Sequence, residues 1–180
     1  MKKIISYLAI AAITLLSVQS ISAQEFSKGT NVINAGLGFG GAYDLGRFNS
    51  SLALGLNVSY ERGIWEVGGP GVISLGGYIG TTAYNLDFGV DDDTVRYTSF
   101  GVRGAYHFNF IGVDNLDVYA GPMITVDVVS VDNDAFDTLD GGLSGSVFAG
   151  ARWYFTDNFG AFAELGYGVS FLSLGAAFRF

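Results

Sequence analysis

Seven charged side chains fall on the smaller, more polar side of stretches in which apolar residues recur at every second position: Glu61, Arg103, Asp117, Asp127, Arg152, Glu164 and Arg179. Acids and bases placed this way can do one of two things if the stretches close around a common interior. They can form a gate or path for ions, or an ionic plug that fills the interior and fixes strand register. An unpaired charge in such a place is costly, so the set is predicted to be a network. Strand directions put Arg103, Arg152 and Glu164 at similar depth, with Asp117 and Arg179 nearer the mouth. The plug is the preferred reading, because an interior of eight strands is only wide enough for side chains.

Acidic clusters occupy two connecting segments, Asp87, Asp91, Asp92 and Asp93 in one and Asp132, Asp134, Asp137 and Asp140 in the other. Oxygen-rich loops suit Ca²⁺ or Mg²⁺, and Asp91, Asp92, Asp93, Asp132 and Asp134 are candidates for weak divalent binding. The spacing departs from an EF-hand. Counted from Asp132, position 5 is Phe136 and position 6 is Asp137, where Gly is required. A solvated, self-repelling loop is the preferred reading, and neither a firm metal site nor a cofactor is expected. Gly36-Leu37-Gly38-Phe39-Gly40-Gly41 lacks the Lys and following helix of a phosphate-binding loop and reads as a Gly-rich strand. The only His, His107, falls at the end of a strand candidate and reads as an interfacial polar residue at a rim.

The elements that carry these residues are strands. In the last of them Leu172, Leu174, Ala176, Phe178 and Phe180 alternate with Phe171, Ser173, Gly175, Ala177 and Arg179. Such alternation marks a strand with different surroundings on its two faces. Seven more candidates precede it, at about 30–40, 51–61, 72–84, 95–108, 116–128, 143–155 and 160–169. The second is the cleanest: Leu52, Leu54, Leu56, Val58 and Tyr60 oppose Ser51, Ala53, Gly55, Asn57, Ser59 and Glu61. Pro122 lies inside the fifth and cannot donate a ladder hydrogen bond, so a bulge is predicted there.

Residues 1–23 read as a cleaved signal peptide. Lys2 and Lys3 precede an apolar run, and Ile21-Ser22-Ala23 offers a small-residue cleavage site. The run is too short to span a membrane as a helix. Residues 24–180 then form one domain. Loss of the two lysines takes the formal net charge from −8 to −10, which argues against nucleic acid, whose phosphates need a basic footprint. With no Cys there is no disulfide framework. The 27 Gly, 15 Phe and 10 Tyr against 2 Pro suit a chain of alternating strands, and no apolar run in it approaches the length of a spanning helix.

Alternation leaves open whether the apolar face points in or out. A soluble barrel would show water a face dominated by Lys, Glu and Thr, whereas here the opposite face is Gly, Ser, Asn and Tyr with a few charges. Aromatics bracket the apolar faces as membrane girdles do: Tyr60, Tyr106, Phe108, Trp153, Phe155, Phe178 and Phe180 at one rim, with Phe39, Phe100 and Tyr167 candidates for the other. The apolar face is therefore read as lipid-facing. An even strand count puts both termini on the periplasmic side. External connections fall at 41–50, 85–94, 129–142 and near Ser170, and periplasmic ones at 62–71, 109–115 and 156–159. The connection at 62–71 is long for a periplasmic turn, and the last external turn is unusually tight.

Leu116-Asp117-Val118-Tyr119-Ala120-Gly121, Glu164-Leu165-Gly166-Tyr167-Gly168, Gly175 and Phe178-Arg179-Phe180 together resemble the small outer-membrane β-barrel family, which includes OmpX-like proteins and the membrane domain of OmpA-like proteins. The resemblance covers essentially all of residues 24–180 and speaks to architecture. It implies an all-β, eight-stranded, antiparallel up-and-down transmembrane barrel in the bacterial outer membrane. Its last strand, with Phe178 and Phe180, would be read by the barrel assembly machinery. Outer-membrane lipid and lipopolysaccharide would be its surroundings; weak divalent bridging to lipopolysaccharide is a hypothesis that rests on the acidic loops themselves. No peptidoglycan-binding domain is expected beyond Phe180. Barrel enzymes of this kind place His with Ser, Asp or Asn at the outer lipid level, away from the position expected for His107, so an enzyme is not expected. The role expected is a structural or surface-interaction scaffold with a side-chain-filled lumen. The rivals are a narrow channel or carrier for small or apolar solutes and, inside out, a soluble exported ligand binder.

Overall fold

The computed structural model describes residues 26–40, 54–67, 71–87, 92–131, 138–139, 142–167 and 170–180. Nine strands lie in one sheet: β1 Asn31–Phe39, β2 Leu54–Val67, β3 Gly71–Asp87, β4 Asp92–Phe108, β5 Leu116–Val131, β6 Thr138–Leu139, β7 Leu143–Tyr154, β8 Phe159–Gly166 and β9 Leu172–Arg179. All pairings are antiparallel, and β6 merely continues the β7 stave outward along β5. The sheet closes on itself because β1 also pairs with β9, from Val32↔Arg179 to Phe39↔Leu172. Phe180 and Asn31 complete the seam by exchanging backbone hydrogen bonds of 3.0 and 3.1 Å. The result is a closed eight-stave antiparallel barrel.

Burial follows the alternation of the sequence with its polarity inverted. Along β2, Leu54, Leu56, Val58 and Tyr60 are exposed, while Asn57, Ser59 and Glu61 are buried. Leu56 keeps 62 % of its surface, whereas Glu61 keeps none. The apolar face is therefore the outside of the barrel, and the lumen holds the polar groups. Among the described residues its apolar filling forms two small clusters, one including Phe26, Tyr154 and Phe162, the other Tyr78, Met123 and Phe148.

Interior glycines make room for the large lumen side chains. Gly36 and Gly175 face each other across the β1–β9 seam, and a Cβ on either would lie 2.8 Å from the Phe162 ring. Phe162 thus fills the space those glycines leave open, much as an aromatic covers a strand glycine in designed sheets.

Two local expectations need correction. Residues 62–71 are not a long turn: β2 runs to Val67 and β3 starts at Gly71, leaving only 68–70 between them. The register shifts between Gly63 and Trp65, which adds a residue to β2 and presents the Trp65 ring outward. Gly63 is also where residues 27–30 cross the barrel mouth as a strap. Gly63 N donates to Thr30 O and Gly29 N to Gly63 O, each at 2.9 Å, and a Cβ on Gly63 would collide with the Ser27 carbonyl.

Pro122, by contrast, causes no bulge. It stays in register with Val147 on β7, and on the β4 side pairing lapses at Gly104 and Ala105 and resumes unchanged at Tyr106↔Ala120. The missing N–H costs ladder bonds without adding a residue.

The other turns at the strap end are short. A 3-10 turn, Asn109–Ile111, leads through the left-handed Gly112 and Asn115, with φ of 63° and 68°, into β5. Between β7 and β8, the Thr156 hydroxyl accepts from the Phe159 amide at 2.9 Å.

Candidate functional site: the charged layer inside the barrel

Period two puts Asn34, Glu61, Ser74, Arg103, His107, Asp117, Tyr119, Arg152 and Glu164 on inward positions of seven staves, every one but β9. Register then sets their depth. Asp117 lies directly opposite Arg152 and Tyr119 opposite His107. Contacts across the lumen are made by side chains whose strands share no ladder.

Two guanidinium groups organise the layer. Arg103 grips Glu164 with both terminal nitrogens, at 3.3 Å (Nη1–Oε1) and 2.6 Å (Nη2–Oε2). Its Nε lies 2.9 Å from Glu61 Oε1, close as charges but not aligned as a hydrogen bond. Arg152 donates to Asp117 Oδ2 at 2.7 Å, to Glu61 Oε2 at 2.9 Å and through Nε to Asn34 Oδ1 at 3.0 Å. Tyr119 donates its hydroxyl to Glu164 at 3.0 Å. Aromatic faces cover both cations: Arg103 sits 3.7 Å over Phe148 and Arg152 3.9 Å over Tyr119. Paired, hydrogen-bonded and shielded charges are the form in which ions persist in an interior.

The predicted set is thus partly rearranged. Arg103, Arg152, Glu164 and Asp117 come together, and Asp117 also lines a cavity at the strap end with Arg179. Arg179 is directed to the β7–β8 turn, where it donates to the Asp157 carbonyl and lies 4.2 Å over the Tyr154 ring. Glu61 is a hub between both arginines. Its inward position was legible, but its centrality follows from register across several staves. Asp127 is buried further along the lumen and accepts from the Ser144 hydroxyl.

His107 is no rim residue. It is fully buried, with Nδ1 2.7 Å from Asp117 Oδ1, and Nε2 3.0 Å from Ser74 Oγ and 3.5 Å from Glu61 Oε2. Its ring stacks on Phe26 with centroids 3.5 Å apart. The order Ser74–His107–Asp117 places the residue types of a nucleophilic triad within hydrogen-bond distance of one another. Ser74 is fully buried, however, and lines neither of the two cavities described below.

Of the candidate divalent ligands, Asp92 and Asp93 begin β4, with backbones opposite Asp87 and Leu86. Asp91, Asp132 and Asp134 lie outside the described residues, as do residues 1–23. Among the described residues no group of His, Asp and Glu is arranged to hold a metal ion. Phe178 and Phe180 both face outward, about half exposed, with rings stacked at 5.9 Å.

Among solved structures the chain is similar to Ail, the attachment invasion locus protein of Yersinia pestis, with 17% identity and a TM-score of 0.52 over 85% of this chain and 99% of Ail. The likeness is one of fold, a closed antiparallel β-barrel. The chain is also similar to the N-terminal β-barrel domain of Pseudomonas aeruginosa OprF, with 18% identity and a TM-score of 0.47 over 86% of this chain and 98% of that domain. No protein-family model matches the chain, and no curated protein matches it in sequence.

Proposed function

We propose that the protein is a structural barrel of the bacterial outer membrane, closed by its charged layer and presenting its loops outside. The observation that carries this reading is the inverted polarity. Leu56, Val102, Val147 and Leu165 each expose more than 60 % of their surface, while Glu61, Arg103 and Arg152 are sealed inside. A surface so apolar is unfavourable in water and suits hydrocarbon. Trp65, Trp153, Phe155, Phe159, Phe178 and Phe180 gather near the strap end as an interfacial girdle would.

Residues 1–23 direct export and are removed. The outward Phe178 and Phe180 belong to the closing strand, where assembly machinery would read them. The acidic connections face outward and bridge weakly through divalent cations to lipopolysaccharide. Ail was crystallised with a heparin analogue, sucrose octasulfate. Residues 85–94 and 129–142 here contain no Lys or Arg, so a polyanion is not the ligand proposed.

A scaffold rather than a channel is supported by the cross-lumen ion pairs. A passing solute would have to part them without water to replace them, at several kcal/mol for each charge left alone. The test is migration on a gel before and after boiling in detergent, followed by conductance in planar bilayers. The expected outcome is a faster unheated band that boiling converts, and no steady conductance. Solubility in plain buffer without a band shift would overturn the membrane assignment, and steady conductance would overturn the plug.

A further inference from the structure

The charged layer contains three carboxylates, Glu61, Asp117 and Glu164, but only two guanidinium groups, Arg103 and Arg152. The third cation it can recruit is His107. The groups facing that ring are Glu61 from β2, Ser74 from β3, Asp117 and Tyr119 from β5, and Phe26 from the strap, with Arg152 one step beyond, through both carboxylates.

Hydrogen-bond directions favour a charged ring. Ser74 donates its own proton to the Ala105 carbonyl at 3.4 Å and so can accept from His107 Nε2, while Nδ1 donates to Asp117. Both ring nitrogens are then donors, as in the imidazolium. A neutral ring would turn a lone pair toward Glu61 or take the Ser74 proton from Ala105.

Phe26 lies flat on this ring, 2 % exposed, with an interplanar angle of 1°. Asn109 donates to its carbonyl at 2.8 Å. The aromatic face attracts the ring more when the ring is charged. Beside it a cavity of about 80 Å³ at the strap end is lined by Phe26, Asp117, Asp114, Tyr154 and Arg179. The buried Tyr154 hydroxyl has no hydrogen-bond partner among the described residues, which suits a wet cavity. Asp117, the carboxylate to which His107 is bonded, is one of the cavity's lining residues. A smaller cavity of about 20 Å³ touches the layer from its other side, at Glu164.

We propose that His107 is a proton-operated latch: charged, it balances the plug and holds Phe26 and the strap across the barrel mouth, and neutral, it releases them. This rests on the ionic-plug reading above. Loss of the proton as pH rises leaves one carboxylate uncompensated and weakens the ring stack, so the strap loosens on the alkaline side.

The chain suits a direct test, having one His and no Cys. Ring ¹⁵N shifts of His-labelled barrel in detergent, recorded from about pH 5 to 9, report the charge of His107 alone. A single thiol, Ser27→Cys, reports strap release by its rate with a water-soluble reagent, divided by the rate of Asp157→Cys in the exposed β7–β8 turn to cancel thiol ionisation. At about pH 7 both ring nitrogens should be protonated. The rate ratio should rise about thirtyfold as the ring loses its proton, the scale of one desolvated cation–π contact. In His107→Gln, or in Phe26→Ala if the former does not fold, the ratio should be high at every pH. A neutral ring at about pH 7, or a ratio flat across the range, would overturn the latch. The unheated gel band is scored first: its absence refutes the barrel reading and the latch falls with it, whereas a compact band with a flat ratio refutes the latch alone.

Discussion

Arg103 and Glu164 clasp each other across the lumen in a two-pronged contact of 3.3 and 2.6 Å, although β4 and β8 share no ladder. Such a bond ties opposite walls and holds the barrel's cross-section. Glu164→Leu leaves a buried guanidinium short of one carboxylate and should destabilise the folded barrel by about 3–5 kcal/mol. Adding Arg103→Met should recover part of that loss, because an apolar pair no longer carries an orphaned charge, although Glu61 then loses one of its two arginines. Reversible urea unfolding in lipid vesicles measures both.

The Phe162 ring depends on the absence of side chains at Gly36 and Gly175. Phe162→Ala should cost about 3–5 kcal/mol, the range for emptying an aromatic site. Gly175→Ala should also destabilise, since its Cβ would collide with the Ala35 carbonyl across the seam as well as with the ring. Both effects should appear as a lower temperature of gel-band conversion.

Leu56 is an outward residue flanked along β2 by inward Gly55 and Asn57. If the outside faces hydrocarbon, Leu56→Arg should destabilise by about 2–4 kcal/mol near the midplane and less toward either interface. A barrel bathed in water would tolerate the same change, so vesicle unfolding of this variant discriminates the two settings.

The Ser74–His107–Asp117 alignment predicts a negative chemical result. A fluorophosphonate, which phosphonylates activated serines with loss of fluoride, should leave the folded barrel unlabelled, because Ser74 is fully buried on the inner face of β3. Labelling lost in Ser74→Ala would show a path to the hydroxyl and reopen the question of catalysis.

The strands and the sorting of their residues onto two faces were legible from period two. In β2 the alternation from Leu54 to Glu61 named both faces correctly, since a strand turns each successive side chain to the opposite side. Strand ends were less legible. The alternation of β2 breaks at Gly63, and what continues the strand to Val67 is a bulge made where the strap also bonds to Gly63. Pro122 was over-read for a related reason. Its missing donor was plain in the sequence, but whether a ladder absorbs the gap or bulges depends on both neighbouring strands.

The residues by themselves determined an alternating, inward-polar chain with more lumen charges than could stay unpaired. Partner choice was decided only by tertiary structure, because shear brings together residues 61, 91 or 116 positions apart in sequence, as in Arg103–Glu164, Arg152–Glu61 and Asn57–Ser173. His107 shows the limit most clearly. Its place near the end of β4 suggested a rim, but Phe26, from a segment with no strand pattern of its own, folds across the mouth and buries it. Local pattern dictates which way a side chain points, while closure of the barrel dictates what it meets.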